Sequence, residues 1–502
     1  MTRWGMAVTV LGVVIWTLAG CGGTEEEERK PFRVGVASLQ ITPKKTGLYL
    51  AGWGHNRAFT KVHDDIYARA IAFERGGTTV VWVSLDLVGL LAPDVGEIRE
   101  RVEDVPPDHI LICCTHVHSA PDVVGLWGPS EDVPGVDEEY RKYVKDRTVE
   151  AIKRALRSMR TARIRLARTQ APPNCAVNHD DPEIIDPEIS ILQAVNPAGE
   201  PIATVVNWAC HPECLDKANL EVTSDYVHWL REVVESQTGG ICIFFNGALG
   251  GMVSPACKEH SFAEAERIGR AVGDAVVKAL KEAEEPMRPD LAFASTQVRF
   301  PIESPRLLKA LKAGLLVPYK NFRDKEVTAD IAVMWLGPSI WMTFPGEPLP
   351  ALGLKAKSMA ETDYKFLISL ANNEVGYIIP TDQWGQKRYE YEMSMSLGPK
   401  TAGICLNALS ELLAEAPAWA KPEKSGQQSG EKAKSQEATR GQAQSGGGSG
   451  TKPRASTSGP ASLVQQTSAA SVAARPVAEP ARSKPTGRPS NQPRPPAAGT
   501  GK

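Results

Sequence analysis

Residues His109–Asp122 read HILICCTHVHSAPD. An apolar run from His109 to Cys114 leads directly into two histidines separated by one residue. Alternate side chains of a strand share a face. His116 and His118 are therefore expected on one side, where the strand gives way to a loop and Ser119, Ala120 and Pro121 end the pairing. Two imidazoles at a strand end suit metal chemistry, in which one ligates the ion and the other handles protons beside it.

Similar segments recur outward from this point. Thr79–Leu87 is a continuous apolar strand ending near Asp86, and Val95–Val102 reads as a helix. Glu139–Ser158 carries helical spacing, with Tyr140, Tyr143, Val144, Ala151, Ile152 and Leu156 on one stripe and Thr148 interrupting it. Arg163–Ala167 and Ile189–Val195 alternate as strands do, and the apolar strand Ile202–Ala209 delivers His211 at its end. Val227–Gln237 is helical, and the strand Ile241–Phe245 runs into a glycine-rich loop from Asn246 to Gly251. Phe262–Glu284 is a long alanine-rich helix. Strands follow at Leu291–Phe300, Ile331–Gly337, Ser339–Phe344 and Tyr364–Leu370, before a closing helix at Pro399–Leu413. Alternating helices and apolar strands predict an α/β fold, a large mixed sheet with helices on both faces. No short internal repeat is visible, and one catalytic domain is expected over residues 32–421.

The ends differ in character. Arg3 and the apolar Met6–Ala19 form a secretory signal pattern, too short to span a membrane as a helix. Leu18-Ala19-Gly20-Cys21 resembles a bacterial lipobox, which implies a signal peptide over residues 1–20 and lipidation of Cys21. Each buried acyl CH₂ contributes roughly 0.8 kcal/mol to membrane anchoring. Gly22 and Gly23 rather than an aspartate follow the cysteine, so an exported, outer-membrane lipoprotein is expected, with residues 21–31 as its tether. Residues 422–502 are rich in Ser, Gly, Pro and Ala, lack aromatics and are expected to be a disordered tail. A net charge of −2 over 502 residues offers no basic face for nucleic acid. Of the eight cysteines after Cys21, Cys113 and Cys114 read as core thiols. Cys210 and Cys214 flank His211, and Cys257 follows Ser254, but this spacing fits no common zinc framework.

Four polar features sit at strand ends, where α/β folds place their sites. They are Thr115–Ser119, Asn207–Pro212, Asn246–Pro255 and Phe344–Glu347, with Tyr377 soon after the strand Tyr364–Leu370. Two histidines and a glutamate make a familiar catalytic zinc set with one position left for water, and the metal lowers the pKa of that water to about 7.

The motifs taken in order resemble one family. VHDDIYARA at Val62–Ala70, VSLDL at Val83–Leu87, THVHSAP, NWACHP, SDY at Ser224–Tyr226, GGMVSP, FPGE and LGP at Leu397–Pro399 look like the catalytic domain of neutral/alkaline non-lysosomal ceramidases. The likeness runs over residues 34–413. It implies that His116, His211, Glu347 and Tyr377 hold zinc and that His118 is the proton-handling residue. Ser254 matches the serine described there as nucleophile, although a zinc-bound hydroxide as attacker, with Ser254 positioning substrate or transition-state oxygen, is the physically favoured reading. The chain departs from the pattern at Met252, where an aspartate is usual, at Asn178-His179 in place of Asn-Arg, and at Glu374 in place of an aromatic. Full-length ceramidases also carry a C-terminal immunoglobulin-like domain, where residues 422–502 are expected to be only the tail. The expected activity is zinc-dependent hydrolysis of ceramide or a related N-acyl lipid. Two other readings stay open: hydrolysis of other N-acyl amides or esters, and a non-catalytic surface binding lipoprotein with a vestigial site.

Overall fold

The computed structural model describes residues 30–285, 289–319 and 325–421. The expected signal peptide, Cys21, most of the tether and the expected tail lie outside the described residues.

The principal elements repeat a pattern three times. The first pass is β1 (Arg33–Gln40), β2 (Tyr67–Arg75), β3 (Thr78–Leu85), α1 (Ala92–Arg99), β4 (Ile110–Cys114) and α2 (Glu138–Arg157). The second is β5 (Arg163–Gln170), β6 (Glu188–Val195), β7 (Pro201–Trp208), α3 (Tyr226–Thr238), β8 (Ile241–Asn246) and α4 (Phe262–Leu280). The third is β9 (Leu291–Pro301), helix α5 (Pro305–Lys312), β10 (Glu326–Leu336), β11 (Ser339–Thr343), α6 (Pro350–Ser358), β12 (Tyr364–Ile368) and α7 (Thr401–Ala414). Each pass forms one sheet in sequential order. Within each, the first pairs are antiparallel, while β3/β4, β7/β8 and β11/β12 are parallel. A parallel pair needs a crossover, which α1, α3 and α6 supply. The repeat is one of topology, and the sequence shows no matching period because only burial pattern and turn positions are shared.

The mixed α/β class expected from the sequence holds. Each sheet is covered on both faces, as apolar strands demand, but the two covers differ in kind. Helices α1 and α2 pack on the first sheet, α3 and α4 on the second, and α6 and α7 on the third. The other faces of all three sheets meet in one shared core. Its centre is aromatic: Trp341 lies 4.3 Å from Phe366, 5.2 Å from Trp82 and 5.9 Å from Phe73, ring centre to ring centre.

Short polar side chains stitch the sheets where they meet. Ser84 Oγ donates to Phe244 O at 2.6 Å, and Asn207 Nδ2 donates to Leu367 O at 2.9 Å. Asn372 Oδ1 accepts from Ile112 N at 3.0 Å. Asp86, just past β3, accepts from both Arg231 Nη atoms of α3 at 2.7 and 2.8 Å. Both of these charges are buried, and such a pair is stable only when it is hydrogen-bonded this fully.

Several elements were not visible in the sequence pattern. β1 and β2 were not assigned, because β2 is alanine-rich and buried on both faces, so it carries no alternation. Helices α5 and α6 both begin with proline at their first turn, a position that tolerates the missing N–H. β10 starts five residues earlier than expected, and its first half alternates exposed and buried positions as a one-sided strand does. Among the described residues no helix is long and apolar enough to cross a membrane.

Because Trp341 belongs to the core that all three sheets share, Trp341→Ala is expected to lower unfolding free energy by roughly 3–5 kcal/mol. Denaturant melts measure this. A loss below about 1 kcal/mol would show that the sheets are held by their outer helices instead.

Candidate active site

The parallel pairs all end at one place. Asn246, the last residue of β8, is fully buried there. Its Nδ2 donates to Thr115 O at 3.0 Å and to Cys210 O at 2.8 Å. Its Oδ1 accepts from Cys210 N and Gly247 N, both at 3.0 Å, and its backbone carbonyl accepts from Ser369 N at 3.0 Å. One residue therefore fixes the segments leaving β4, β7 and β12.

His116 and His118 follow β4, and their rings do come together, with centres 5.0 Å apart. The route is not the expected strand alternation. β4 stops at Cys114, and His116 takes φ +67°, a left-handed conformation uncommon for a side-chain-bearing residue. Two bonds hold it there: His116 N donates to Leu87 O at 2.9 Å, and His116 Nδ1 donates to Val88 O at 2.5 Å. Met252, Leu370 and Asn372, also near the strand ends, share positive φ. Such outliers gather where surrounding structure over-determines the backbone.

His211 follows β7, 5.0 Å from His116 and 5.6 Å from His118 between ring centres. Its Nδ1 donates to Val253 O at 2.9 Å. A carbonyl only accepts, so in both His116 and His211 the proton sits on Nδ1 and the Nε2 lone pair is free. Both lone pairs face the same atom: Glu347 Oε2 lies 3.4 Å from His116 Nε2 and 3.3 Å from His211 Nε2. All three side chains are buried. Three facing acceptors need a cation among them. His211 Nε2 and Glu347 Oε2 have no conventional hydrogen-bond partner. Ligands held about 2.1 Å from a tetrahedral zinc are about 3.4 Å apart. The observed spacings match that edge, and His116, His118 and His211 form one compact donor group. The residues present fit a divalent metal.

The electrostatics agree. Burial alone would push Glu347 up, but His116 and His211 hold it well below the usual carboxylate range. Burial would lower His211, yet Glu213 and Glu347 raise it above 6.5. His118 is pushed down to about 4 by burial, against the pull of Glu213, so it is neutral at pH 7.

Tyr377 lies beside Glu347. The two are in register in a short parallel pairing of Glu347–Pro348 with Tyr377–Ile378, which turns both side chains to one face. Burial and Glu347 raise the phenol pKa, and its hydroxyl reaches Met252 Sδ at 3.9 Å. Ser254 lies in Val253–Pro255, paired with Ala176–Asn178. The sequence departures at Met252 and His179 meet there, since His179 N donates to Met252 O at 3.2 Å. Ser254 Oγ donates to Glu213 Oε1 at 2.5 Å. Glu213 was not foreseen, and its only sequence signal is its place two residues after His211. Burial raises its pKa, but His211, His118 and Ser254 outweigh that and bring it down to about 2. Glu374, noted in the sequence only as a departure from the family pattern, is a second neighbour of the metal group, with a donor atom within 4.8 Å of His116 and Glu347. Burial and Glu347 push its pKa up. Cys210 and Cys214 are neutral thiols, raised by burial, and Cys113 and Cys114 are core thiols as expected.

His116, His118, Glu347, Glu374 and Tyr377 form the polar end of a cavity of about 100 Å³. Its remaining wall is mostly apolar and includes Val88, Leu126, Trp127, Leu307, Leu311 and Leu316. Gly52 permits His118 to sit against the backbone: at φ +94°, a Cβ there would stand 2.3 Å from the imidazole Cγ. A second cavity of about 290 Å³ shares Gly52, Leu126, Trp127 and Leu307 with the first and adds Glu131, Asp132 and Arg306.

Two solved structures share this fold. Neutral ceramidase from Pseudomonas aeruginosa matches with a TM-score of 0.65 at 17% identity, over 77% of this chain and 75% of the other. The chain has the neutral ceramidase fold. A ceramidase complexed with C2 matches equally, at a TM-score of 0.65 and 17% identity, over 77% of this chain and 76% of the other. No protein-family model and no curated protein sequence matches the chain. The ceramidase fold thus carries here the histidines and glutamate whose order along the chain first suggested it.

The raised His211 pKa has a consequence for stability. In the metal-free protein its protonated form stabilises the fold below its unfolded pKa, and this is lost as pH rises through the raised folded value. A divalent metal replaces that proton. Added zinc is therefore expected to raise Tm more at about pH 8 than at about pH 6, and His116→Ala and His211→Ala should abolish the shift. Thermal melts with zinc or chelator check this. A shift that shrinks with rising pH, or survives both substitutions, excludes the site.

Proposed function

We propose that this chain is a zinc-dependent amidohydrolase acting on ceramide or a related N-acyl lipid. The observation that carries the reading is the donor set of His116, His211 and Glu347, of which His116 and Glu347 line the polar end of an apolar cavity. His116, His211 and Glu347 would hold the metal, with Tyr377 beside Glu347 as a fourth donor. Bound zinc supplies Lewis-acid polarisation of a carbonyl and lowers the pKa of water to about 7. The chain's own groups do the rest. The apolar wall takes the acyl chain and excludes water. The first cavity alone is too small for a long chain, so the chain continues toward the second. His118 starts neutral on the cavity wall, able to take a proton from the attacking water and deliver it to the leaving amine. Lipidation at Cys21 would tether the enzyme to a membrane surface, most simply the outer membrane of an exported lipoprotein, and so raise its encounter rate with lipid substrates.

A second reading, hydrolysis of other N-acyl amides, is favoured by Glu374. A carboxyl group in the cavity wall can accept or donate a hydrogen bond to a polar substrate where an aromatic could not.

Fluorescent ceramide assayed with and without chelator tests the proposal. Turnover should vanish with chelator, return with zinc, and fall at least about 10³-fold in His211→Ala. Turnover of short polar N-acyl amides with none of ceramide would move the assignment to the second reading. Stoichiometric zinc without hydrolysis of any acyl amide would leave a binding protein. The cavity makes a separate prediction. Leu311→Trp should lower kcat/KM for long-chain substrates at least about tenfold while leaving zinc content unchanged. An unchanged preference for chain length would place the acyl chain elsewhere.

A further inference from the structure

Behind His118 stands a carboxylate with no obvious structural duty. Glu213 is buried, and its Oε2 lies 3.0 Å from His118 Nδ1, an ion-pair contact too far off the ring N–H axis to be a hydrogen bond. Neither of those two atoms has another partner. The other carboxylate oxygen takes the Ser254 hydroxyl at 2.5 Å. Backbone bonds lock the layers together: His118 N donates to Pro212 O at 3.3 Å, Glu213 N to His211 O at 3.0 Å, and His211 N to Val253 O at 2.9 Å. His118 lines the cavity, whereas Glu213 and Ser254 do not. The order from the cavity inward is therefore His118, Glu213, Ser254.

An ionised carboxylate only accepts, so both protons in this chain come from its neighbours. A His118 tautomer with its proton on Nδ1 would turn that proton toward Glu213 and leave the Nε2 lone pair for the cavity. The Ser254 proton is directed at Glu213, so that hydroxyl is not available to donate to a substrate oxygen. Met252 is the residue where the family resemblance leads one to expect a carboxylate near this serine, and it offers Ser254 only a backbone carbonyl at 3.4 Å. Glu213 brings a carboxylate to the same serine from a different loop.

We infer that Glu213 is a positioning residue that fixes the tautomer and orientation of His118, and that Ser254 acts through Glu213 rather than on the substrate. The inference deepens the hydrolase reading and rests on it for the role of His118. The tautomer itself can be read without any turnover.

The test uses the zinc-loaded protein with Glu213→Ala, Glu213→Gln, Ser254→Ala and the Glu213→Ala/Ser254→Ala double variant. Glu213→Ala should lower kcat about 10²-fold or more, with KM within about threefold and zinc content intact. Glu213→Gln should recover part of the loss, because its amide oxygen still accepts from His118. Ser254→Ala should cost about tenfold, and the double variant should match Glu213→Ala, since two residues acting in one chain are not additive. Ring ¹⁵N shifts should report His118 as the Nδ1–H tautomer in the parent protein and a mixture in Glu213→Ala. That measurement stands even if the parent hydrolyses no amide, so the two readings fail separately. Loss of zinc in Glu213→Ala, multiplicative losses in the double variant, labelling of Ser254 by a fluorophosphonate probe, or an unchanged His118 tautomer would each overturn the inference.

Discussion

The structure depends on one buried amide. Asn246 joins the segments that leave three different sheets, and it does so with both polar atoms of its side chain and its own carbonyl. An unpaired amide at that depth would cost a few kcal/mol, so the three strand ends are held wherever Asn246 can satisfy itself. His116 and His118 lie two and four residues beyond the end of β4, and His211 three beyond the end of β7. A site built from scattered positions is thus assembled by a constraint on the backbone, and the side chains inherit their separation from it.

The second constraint is electrostatic. Glu347 is a carboxylate buried among imidazoles rather than against water. A buried anion persists only where partners compensate its lost hydration. With both Nδ1 protons tied to backbone carbonyls, His116 and His211 can offer Glu347 no second proton without becoming charged. The arrangement is therefore under tension in the absence of a cation and relaxed in its presence. The same logic separates the carboxylates: neighbouring imidazoles favour the anions of Glu213 and Glu347, whereas burial and Glu347 push Glu374 up.

Much of this was legible in the sequence. Apolar strands that end in histidine or in a proline-glycine-glutamate turn gave the sheet class and placed His116, His211 and Glu347 at related positions. What escaped has physical reasons. β2 lacks alternation because both its faces are buried, and the threefold topology leaves no residue period to detect. The left-handed turn at His116 cannot be read from composition, since only a small minority of histidines take that conformation. Glu213 was missed because a carboxylate in a loop reads as solvated, and Glu374 stood out only as a departure from the family pattern. Only the fold shows that one touches His118 and Ser254 and the other the metal donors. Ser254 was found by motif, but the partner of its hydroxyl lies 41 positions away.

The two-residue ladder between Glu347 and Tyr377 has a further implication for how the chain can evolve. Side chains on paired strands invert with every single-residue slip. Adding or removing one residue between Leu370 and Gly376 would rotate the phenol off the face it shares with the glutamate, although composition and hydrophobicity would hardly change. Length variation is thus barred from that connection and pushed to segments that carry no donor. Relatives that diverge widely in sequence should keep the spacing of this turn even where its letters differ.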